Sequence, residues 1–397
     1  MSYKSGMITR LRVKNFKSLR DVNLTFGPLT VLVGPNMGGK SNIVDVFYFI
    51  YQLLFPQAGV DGLNYALAQR GGISEVLWKG GDESLIALYV DGVNPIVKDS
   101  TWSYALEVVS GPGGYAQIQK ESFVVREGRA EKELIILEGN VRWLANKEGQ
   151  KVSSYSSGTR SAMENVPDSW DGADLIKAVR LWKFYQLIPQ VMKQPNPTGL
   201  GFVLERHGQN LSAWLMTLQT RFPEAFGRVS EAARDLFPEL KGLLTWPTAQ
   251  GTVFLASVER GLKHPVNIGG MSDGELCLVA LLSLLYAPPE LGATLYCLEE
   301  PENHLHPRLV NALVRLTRQV RHELTAVSTP VAQVILTTQS PLLVDEMALD
   351  EVIWVDKREG ETRTVRPGSF ENLRQLVADK ELGLGDIVYS GLLSEPK

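Results

Sequence analysis

The sequence predicts an α/β fold: a mixed central sheet drawn from both ends of the chain, an antiparallel β subdomain and an inserted helical lobe. Three observations carry this expectation. A glycine-rich run, Gly34 to Ser41, lies between the apolar strand Leu29-Thr30-Val31-Leu32-Val33 and an apolar helix running from Ser41 to Phe55. Residues 84–145 are short alternating segments parted by glycine-bearing turns. Strands alternating with helices then return in the last third of the chain.

Taken in order, residues 7–16 and 21–33 read as strands around a turn, with Ile8, Leu11, Val13 and Phe16 apolar and Val22, Leu24 and Phe26 alternating with polar residues. Segments such as Leu85-Ile86-Ala87-Leu88-Tyr89-Val90 and Glu133-Leu134-Ile135-Ile136-Leu137 form the antiparallel sheet, with turns at Asp91-Gly92, Gly111-Pro112-Gly113-Gly114 and Glu138-Gly139-Asn140. Ser153 to Ser161 is Ser- and Gly-rich and reads as a loop or boundary. Residues 172–245 are mainly helical in pattern, with Leu211, Trp214, Leu215, Leu218, Phe222, Phe226, Val229 and Leu236 near the helical period. The expected units are residues 1–165, 166–262 and 263–397. Neither an internal repeat nor a coiled-coil heptad run is visible.

The 397 residues are 44% hydrophobic and 21% charged, with a net charge of −4, so charge lends no support to a dedicated nucleic-acid binder. Cys277 and Cys297 sit in apolar runs and read as reduced core residues, which with the unremarkable start predicts a cytoplasmic protein. No apolar run reaches the roughly 18 residues of a membrane span.

Gly34 to Ser41 fits G-x-x-x-x-G-K-[ST] in its strand–turn–helix context. Such a loop aims backbone N–H groups of Asn36, Gly38, Gly39 and Lys40 at phosphate oxygens. Lys40 is expected to reach the β- and γ-phosphates of ATP, and the Ser41 hydroxyl to bind Mg2+. A second apolar strand, Ala293 to Leu298, ends in Glu299-Glu300: Glu299 is assigned to the metal and Glu300 to the base that takes a proton from water. Ser272-Asp273-Gly274-Glu275 has a capping-box pattern before the apolar helix Leu276 to Tyr286. Ser272 and Gly274 there can clamp a γ-phosphate, although any helix start shows a similar cap. His304 and His306 beside three glutamates invite a metal-site reading, against which Pro301 and Pro307 favour a loop.

These runs together resemble the SMC/RecF-like branch of the ABC ATPases, in particular compact ATPases related to the overcoming-lysogenisation-defect group. Asn15-Phe16-Lys17-Ser18-Leu19 in the first strand, Gly34 to Asn42 as Walker A, Met271 to Glu275 as signature and Leu298 to Glu302 as Walker B carry the resemblance. Asn303-His304-Leu305-His306-Pro307 is similar to the D-loop, and Trp182-Lys183-Phe184-Tyr185, Gly208-Gln209-Asn210-Leu211 and Gly383-Leu384-Gly385-Asp386 are similar to other parts of the compact group. The resemblance implies an ABC-type P-loop head that closes into a head-to-tail dimer, or a higher oligomer, around two ATPs. Asn42 and Lys17 join the candidate nucleotide contacts. Gln186 is the candidate metal-side Q-loop residue, with Gln69 behind it. Gln339, after Thr337-Thr338, occupies the switch position.

Three departures shape the expectation. Asp273 stands where the wider superfamily has glycine, near a polyanion. Glu299 replaces the more usual Asp, and Gln339 replaces the His of many relatives and cannot become a cation. Slow hydrolysis follows. The expected function is an ATPase switch acting through a separate effector protein, plausibly in anti-phage defence. A RecF-like repair ATPase binding duplex DNA and an ATP-locked scaffold that does not turn over are the alternatives.

Overall fold

The computed structural model describes residues 7–93, 100–128, 130–138, 141–145, 151–155, 157–164, 166, 170, 172–326, 331–370, 374 and 383–389. The expected turn at Gly139-Asn140, the start up to residue 6 and the tail from residue 390 lie outside these.

Two sheets frame the molecule. The central one runs in the order Trp182–Tyr185, Leu295–Glu299, Gln333–Thr338, Leu29–Val33, Val352–Arg358 and Glu361–Val365. Its first five strands are parallel and the last closes an antiparallel hairpin. All residues of Leu29–Val33 and Gln333–Thr338 are buried, as both-face coverage of a parallel sheet requires. The two ends of the chain do share this sheet.

The second sheet is antiparallel: Leu19–Thr25, Ile8–Phe16, Leu85–Val93, Ser100–Ser110, Ala116–Glu127, Ala130–Glu138, Val141–Ala145 and Lys151–Tyr155. The first two strands of the chain therefore belong here, while the third crosses to the central sheet. Gln333 ties the sheets together: its side-chain Oε1 accepts from the Ile8 N–H at 2.9 Å and its Nε2 donates to the Ile8 carbonyl at 2.8 Å. Between the sheets lies the helix Lys40–Leu54. Its Ile43, Phe47, Ile50 and Leu54 recur at helical spacing, and Phe16–Phe49 and Phe47–Trp182 meet edge to face at 5.7 and 6.0 Å.

Two local expectations change. The helical pattern of 172–245 holds for Ala173–Arg180, Leu211–Arg221 and Pro223–Leu236, the last two parted at Phe222 by Pro223. Trp182–Tyr185, however, is the edge strand of the central sheet, and Leu240–Pro247 pairs with Thr252–Glu259 in a small antiparallel sheet. Four residues are too short to show a period, so tertiary pairing decided that strand. Likewise the Ser-rich stretch expected as a loop supplies the last strand of the large sheet through Tyr155.

The helix Asp273–Leu285 packs with Leu211–Arg221 and Pro223–Leu236 in one core. Pro307–Ala326, Pro341–Asp345 and Leu384–Tyr389 cover the other face of the central sheet. The carboxyl ends of the parallel strands all open to the same side, where ligands bind in open α/β sheets.

Candidate functional site

The loop after Leu29–Val33 is shaped by its neighbours. A Cβ at Gly34 would lie 1.9 Å from the Val355 carbonyl oxygen, and at Gly39, with φ at 109°, it would lie 2.0 Å from Thr362 Oγ1. Only glycine lets the loop press this closely on the Val352–Val365 hairpin. Thr362 Oγ1 donates to the Gly38 carbonyl at 3.1 Å and sits 2.6 Å from Ser18 Oγ, which accepts from Asn42 Nδ2 at 2.6 Å. Asn36 and Met37 are exposed at the tip, and Ser41 is exposed at the helix start. The N–H groups of Gly39, Lys40 and Ser41 have no partner among the described residues, as expected of a helix N-terminus. They fit the phosphates of a nucleotide.

Lys40 is 5% exposed, and its ammonium donates to the carbonyls of Gly34 at 2.7 Å and Pro35 at 2.9 Å. Burial lowers its pKa, and the charges of Glu300 and Glu302 oppose that. Lys17 is ion-paired with Asp45 at 2.7 Å, and Asp45 is shared with Arg70 at 2.6 Å. Its ammonium thus serves the helix behind the loop.

Glu300 lies just past the strand Leu295–Glu299 with φ at 45°, and its N–H donates to the Thr337 carbonyl at 3.0 Å. That kink sets its carboxylate beside the next strand end. The side-chain amide of Gln339 donates to one carboxylate oxygen and Asn303 Nδ2 donates to the other at 3.0 Å. The expected base and the expected switch residue are thus in direct contact. Glu302 accepts from Thr338 Oγ1 at 2.5 Å. Burial, joined by the Glu300 charge, pushes the Glu302 carboxyl up, and its Oε2 is buried without a partner among the described residues.

Glu299 does not stand free at the strand end. Arg206 reaches it at 2.9 Å and lies over the Tyr48 ring, 4.5 Å from its centroid. Gln186 follows the edge strand, whose Tyr185 is in register with Leu298. Its N–H donates to the Arg206 carbonyl at 2.9 Å, and its side chain is exposed at the sheet's carboxyl end. Gln69, the other candidate, ends the helix Gly62–Ala68.

The capping box forms as expected: Ser272 Oγ accepts from the Glu275 N–H at 3.2 Å, and the Glu275 carboxylate accepts from the Ser272 N–H at 2.7 Å. Asp273 is paired with Lys193 at 2.8 Å and faces His304 Nδ1 at 3.9 Å. Its charge therefore has a partner already. Gly274 lies against the Asn303–His304 turn, where a Cβ would come 2.8 Å from the His304 carbonyl oxygen. His306 Nδ1 instead accepts from the Arg308 N–H at 3.3 Å, so the two histidines have different partners. No hydrogen bond or ion pair among the described residues joins Ser272–Gly274 to the Gly34–Ser41 loop.

Ser41 Oγ and the Glu299 carboxylate are oxygen donors of the kind that suit Mg2+, which takes one or two carboxylates plus phosphates and water. Among the described residues no group of three or more His, Cys, Asp or Glu forms a dedicated metal cage. Sequence reasoning missed Arg206, Lys193 and the role of Glu302. Glu302 was visible three residues from Glu299, whereas Arg206 lies 93 residues away, and the Gly208-Gln209-Asn210-Leu211 run beside it does not mark it as a partner of a carboxylate.

Residues 145–345 match the family model described as "AAA domain, putative AbiEii toxin, Type IV TA system", and residues 7–86 match one described as "AAA ATPase domain". The Old nuclease of Escherichia phage P2 is 22% identical over 380 residues, covering 88% of this chain and 59% of the phage protein. This chain thus spans about three fifths of that relative's length. Among solved structures, an Smc head bound to the C-winged helix domain of ScpA superposes with a TM-score of 0.57 at 17% identity, covering 90% of this chain and 97% of that one. An Smc head domain with a coiled coil and joint from Pyrococcus yayanosii gives 0.56 at 14%, covering 95% and 100%. At such identities the likeness is one of fold.

Proposed function

This chain belongs to the AAA-domain family whose model spans residues 145–345, and from that premise we propose that it is a dimeric switch that binds and slowly hydrolyses ATP. The contact that carries this reading is the amide of Gln339 on the carboxylate of Glu300, at the strand end whose charge reaches the phosphate-loop Lys40. The carboxylate takes a proton from water as the water oxygen bonds to the γ-phosphorus and the bond from that phosphorus to the ADP oxygen breaks. Gln339 holds the carboxylate in orientation. Because it cannot become an imidazolium-like cation, it adds no positive charge to the transition state, so turnover is slow.

Ser41 and Glu299 would hold the magnesium ion, which supplies charge for the phosphate oxygens. Lys40 and the free N–H groups from Gly39 to Ser41 bind and orient the triphosphate. Among the described residues Ser272 and Gly274 share no hydrogen bond or ion pair with that loop, and this supports a head-to-tail arrangement in which each site receives the capped helix of a second copy. The output passes to a separate effector protein, and a role in anti-phage defence is the reading we favour.

Glu300→Gln tests the switch. Hydrolysis should fall by about 10²- to 10⁴-fold, ATP should still bind, and light scattering should show an ATP-dependent dimer that persists. A wild-type protein that binds no ATP, or a variant that hydrolyses at the wild-type rate, would overturn the proposal.

A further inference from the structure

Gln339 is held at both ends, and the second hold has no part in the reaction described so far. Its side-chain amide rests on Glu300, while its backbone N–H donates to Glu302 Oε1 at 3.3 Å. The same oxygen accepts from Thr338 Oγ1 at 2.5 Å, and that hydroxyl in turn accepts from the Ser340 N–H at 2.9 Å. Ser340 Oγ then caps the helix Pro341–Asp345 through the Leu343 N–H at 3.4 Å. One carboxylate oxygen thus gathers Thr338, Gln339 and, through the threonine hydroxyl, Ser340.

The acidic turn brings Glu302 there by its own backbone. Glu300 and Glu302 flank Pro301, whose ring fixes φ. The Glu300 N–H is docked on Thr337 through both its carbonyl oxygen, at 3.0 Å, and its Oγ1, at 3.2 Å. The Asn303 N–H closes the turn on the Glu300 carbonyl at 3.0 Å, and the Leu305 N–H donates to the Glu302 carbonyl at 2.9 Å. Two carboxylates on either side of one proline therefore meet the same strand end, one at the Gln339 side chain and the other at its backbone. The second oxygen of Glu302, Oε2, is buried without a partner among the described residues. Burying an unpaired carboxylate oxygen costs stability, so packing alone gives no reason for a glutamate at this place.

We infer that Glu302 is a positioning residue for hydrolysis: by holding Thr338 and the Gln339 backbone on one oxygen, it sets where the Gln339 amide meets Glu300. An amide anchored only at its own tip is free to pivot with the chain after Thr337, and a shift of about 1 Å at a reacting group costs around 100-fold in rate. The part of Glu302 is to orient, through Gln339, the carboxylate that takes the proton. The inference rests on the ATPase reading above.

Glu302→Ala removes the hold. Single-turnover hydrolysis should fall roughly 10- to 100-fold, while ATP affinity stays at the wild-type value and the thermal midpoint does not fall. Glu302→Gln restores the acceptor oxygen without the charge and should recover hydrolysis to within a few-fold of wild type. Thr338→Val removes the hydroxyl with little change of shape and should also slow hydrolysis. The Glu302→Ala/Thr338→Val double variant should lose no more than the slower single variant. Wild-type hydrolysis in Glu302→Ala overturns the inference, and so does a loss matched by weaker ATP binding or a lower midpoint, which marks a merely structural role. Glu302→Gln as slow as Glu302→Ala overturns it as well, because the charge and not the geometry is then what matters. Losses that add in the double variant have the same force. Glu300→Gln run alongside separates the two failures. If it abolishes turnover while Glu302→Ala does not, only the inference falls; a wild-type protein without turnover sinks both.

Discussion

The guanidinium of Arg206 stands 2.9 Å from the carboxylate of Glu299 while its face covers the Tyr48 ring. A carboxylate expected to hold a metal is thus already neutralised by a cation from a loop 93 residues away. Glu299 is about 10% exposed, and a charge this sheltered is costly unless paired. Arg206 is therefore what permits Glu299 to sit there and, on the proposed reading, what a divalent cation would share it with.

Removing that competitor should make magnesium easier to bind. For Arg206→Gln, the magnesium concentration that half-saturates nucleotide binding should drop several-fold, while binding of ATP in excess chelator stays unchanged. Calorimetric titration of both proteins measures this. An unchanged or higher magnesium requirement would separate Glu299 from the metal.

On the proposed reading, the Lys193–Asp273 pair explains how an aspartate could occupy a position facing a nucleotide. With both side chains about one third exposed, the pair is worth roughly 0.5–1 kcal/mol. Lys193→Ala should therefore raise the ATP concentration needed for self-association a few-fold, because Asp273 is left unbalanced. The double variant Lys193→Ala/Asp273→Ala should recover it. Sedimentation against ATP concentration reads the cycle, and equal defects in the single and double variants would count against it.

Glu121 supplies a prediction for stability. It is fully buried in the antiparallel sheet and accepts from Tyr104 Oη at 2.7 Å, Ser161 Oγ at 2.6 Å and the Ala162 N–H at 2.6 Å. Burial pushes its carboxyl up, and the three donors only partly offset this. A carboxyl whose folded value lies above its unfolded one contributes fully below the unfolded value. That contribution is lost as pH rises through the folded value, at up to about 1.4 kcal/mol per pH unit. Glu121→Gln should flatten this slope: near pH 4 the variant and wild type should unfold at similar urea concentrations, and at pH 8 the variant should be at least as stable. The two hydroxyls can reverse to accept from the new amide. A variant weaker than wild type at pH 8 with the same slope would contradict the argument.

Much of the site was legible because its chemistry is local. Gly34 to Ser41 announces itself through glycines followed by Lys40 and Ser41, Glu299-Glu300 through carboxylates closing an apolar strand, and the Ser272 cap through its Glu275 partner. Each pattern spans a few residues, and the backbone geometry that makes it useful is dictated within those residues. The alternating strands of the large sheet were legible for the same reason.

The pairings across sequence were not. Nothing near Arg206 marks it as the partner of Glu299, and nothing near Lys193 marks it as the partner of Asp273. Trp182–Tyr185 becomes a strand only because Leu295–Glu299 lies beside it. The sequence by itself determined an α/β nucleotide-binding head and the residue types at its phosphate loop, acidic strand end and capped helix. Only the tertiary structure decided that Gln339 rests on Glu300 and that Arg206 guards Glu299. Short-range backbone preferences write the first set, whereas the second depends on which strand ends the sheet brings side by side.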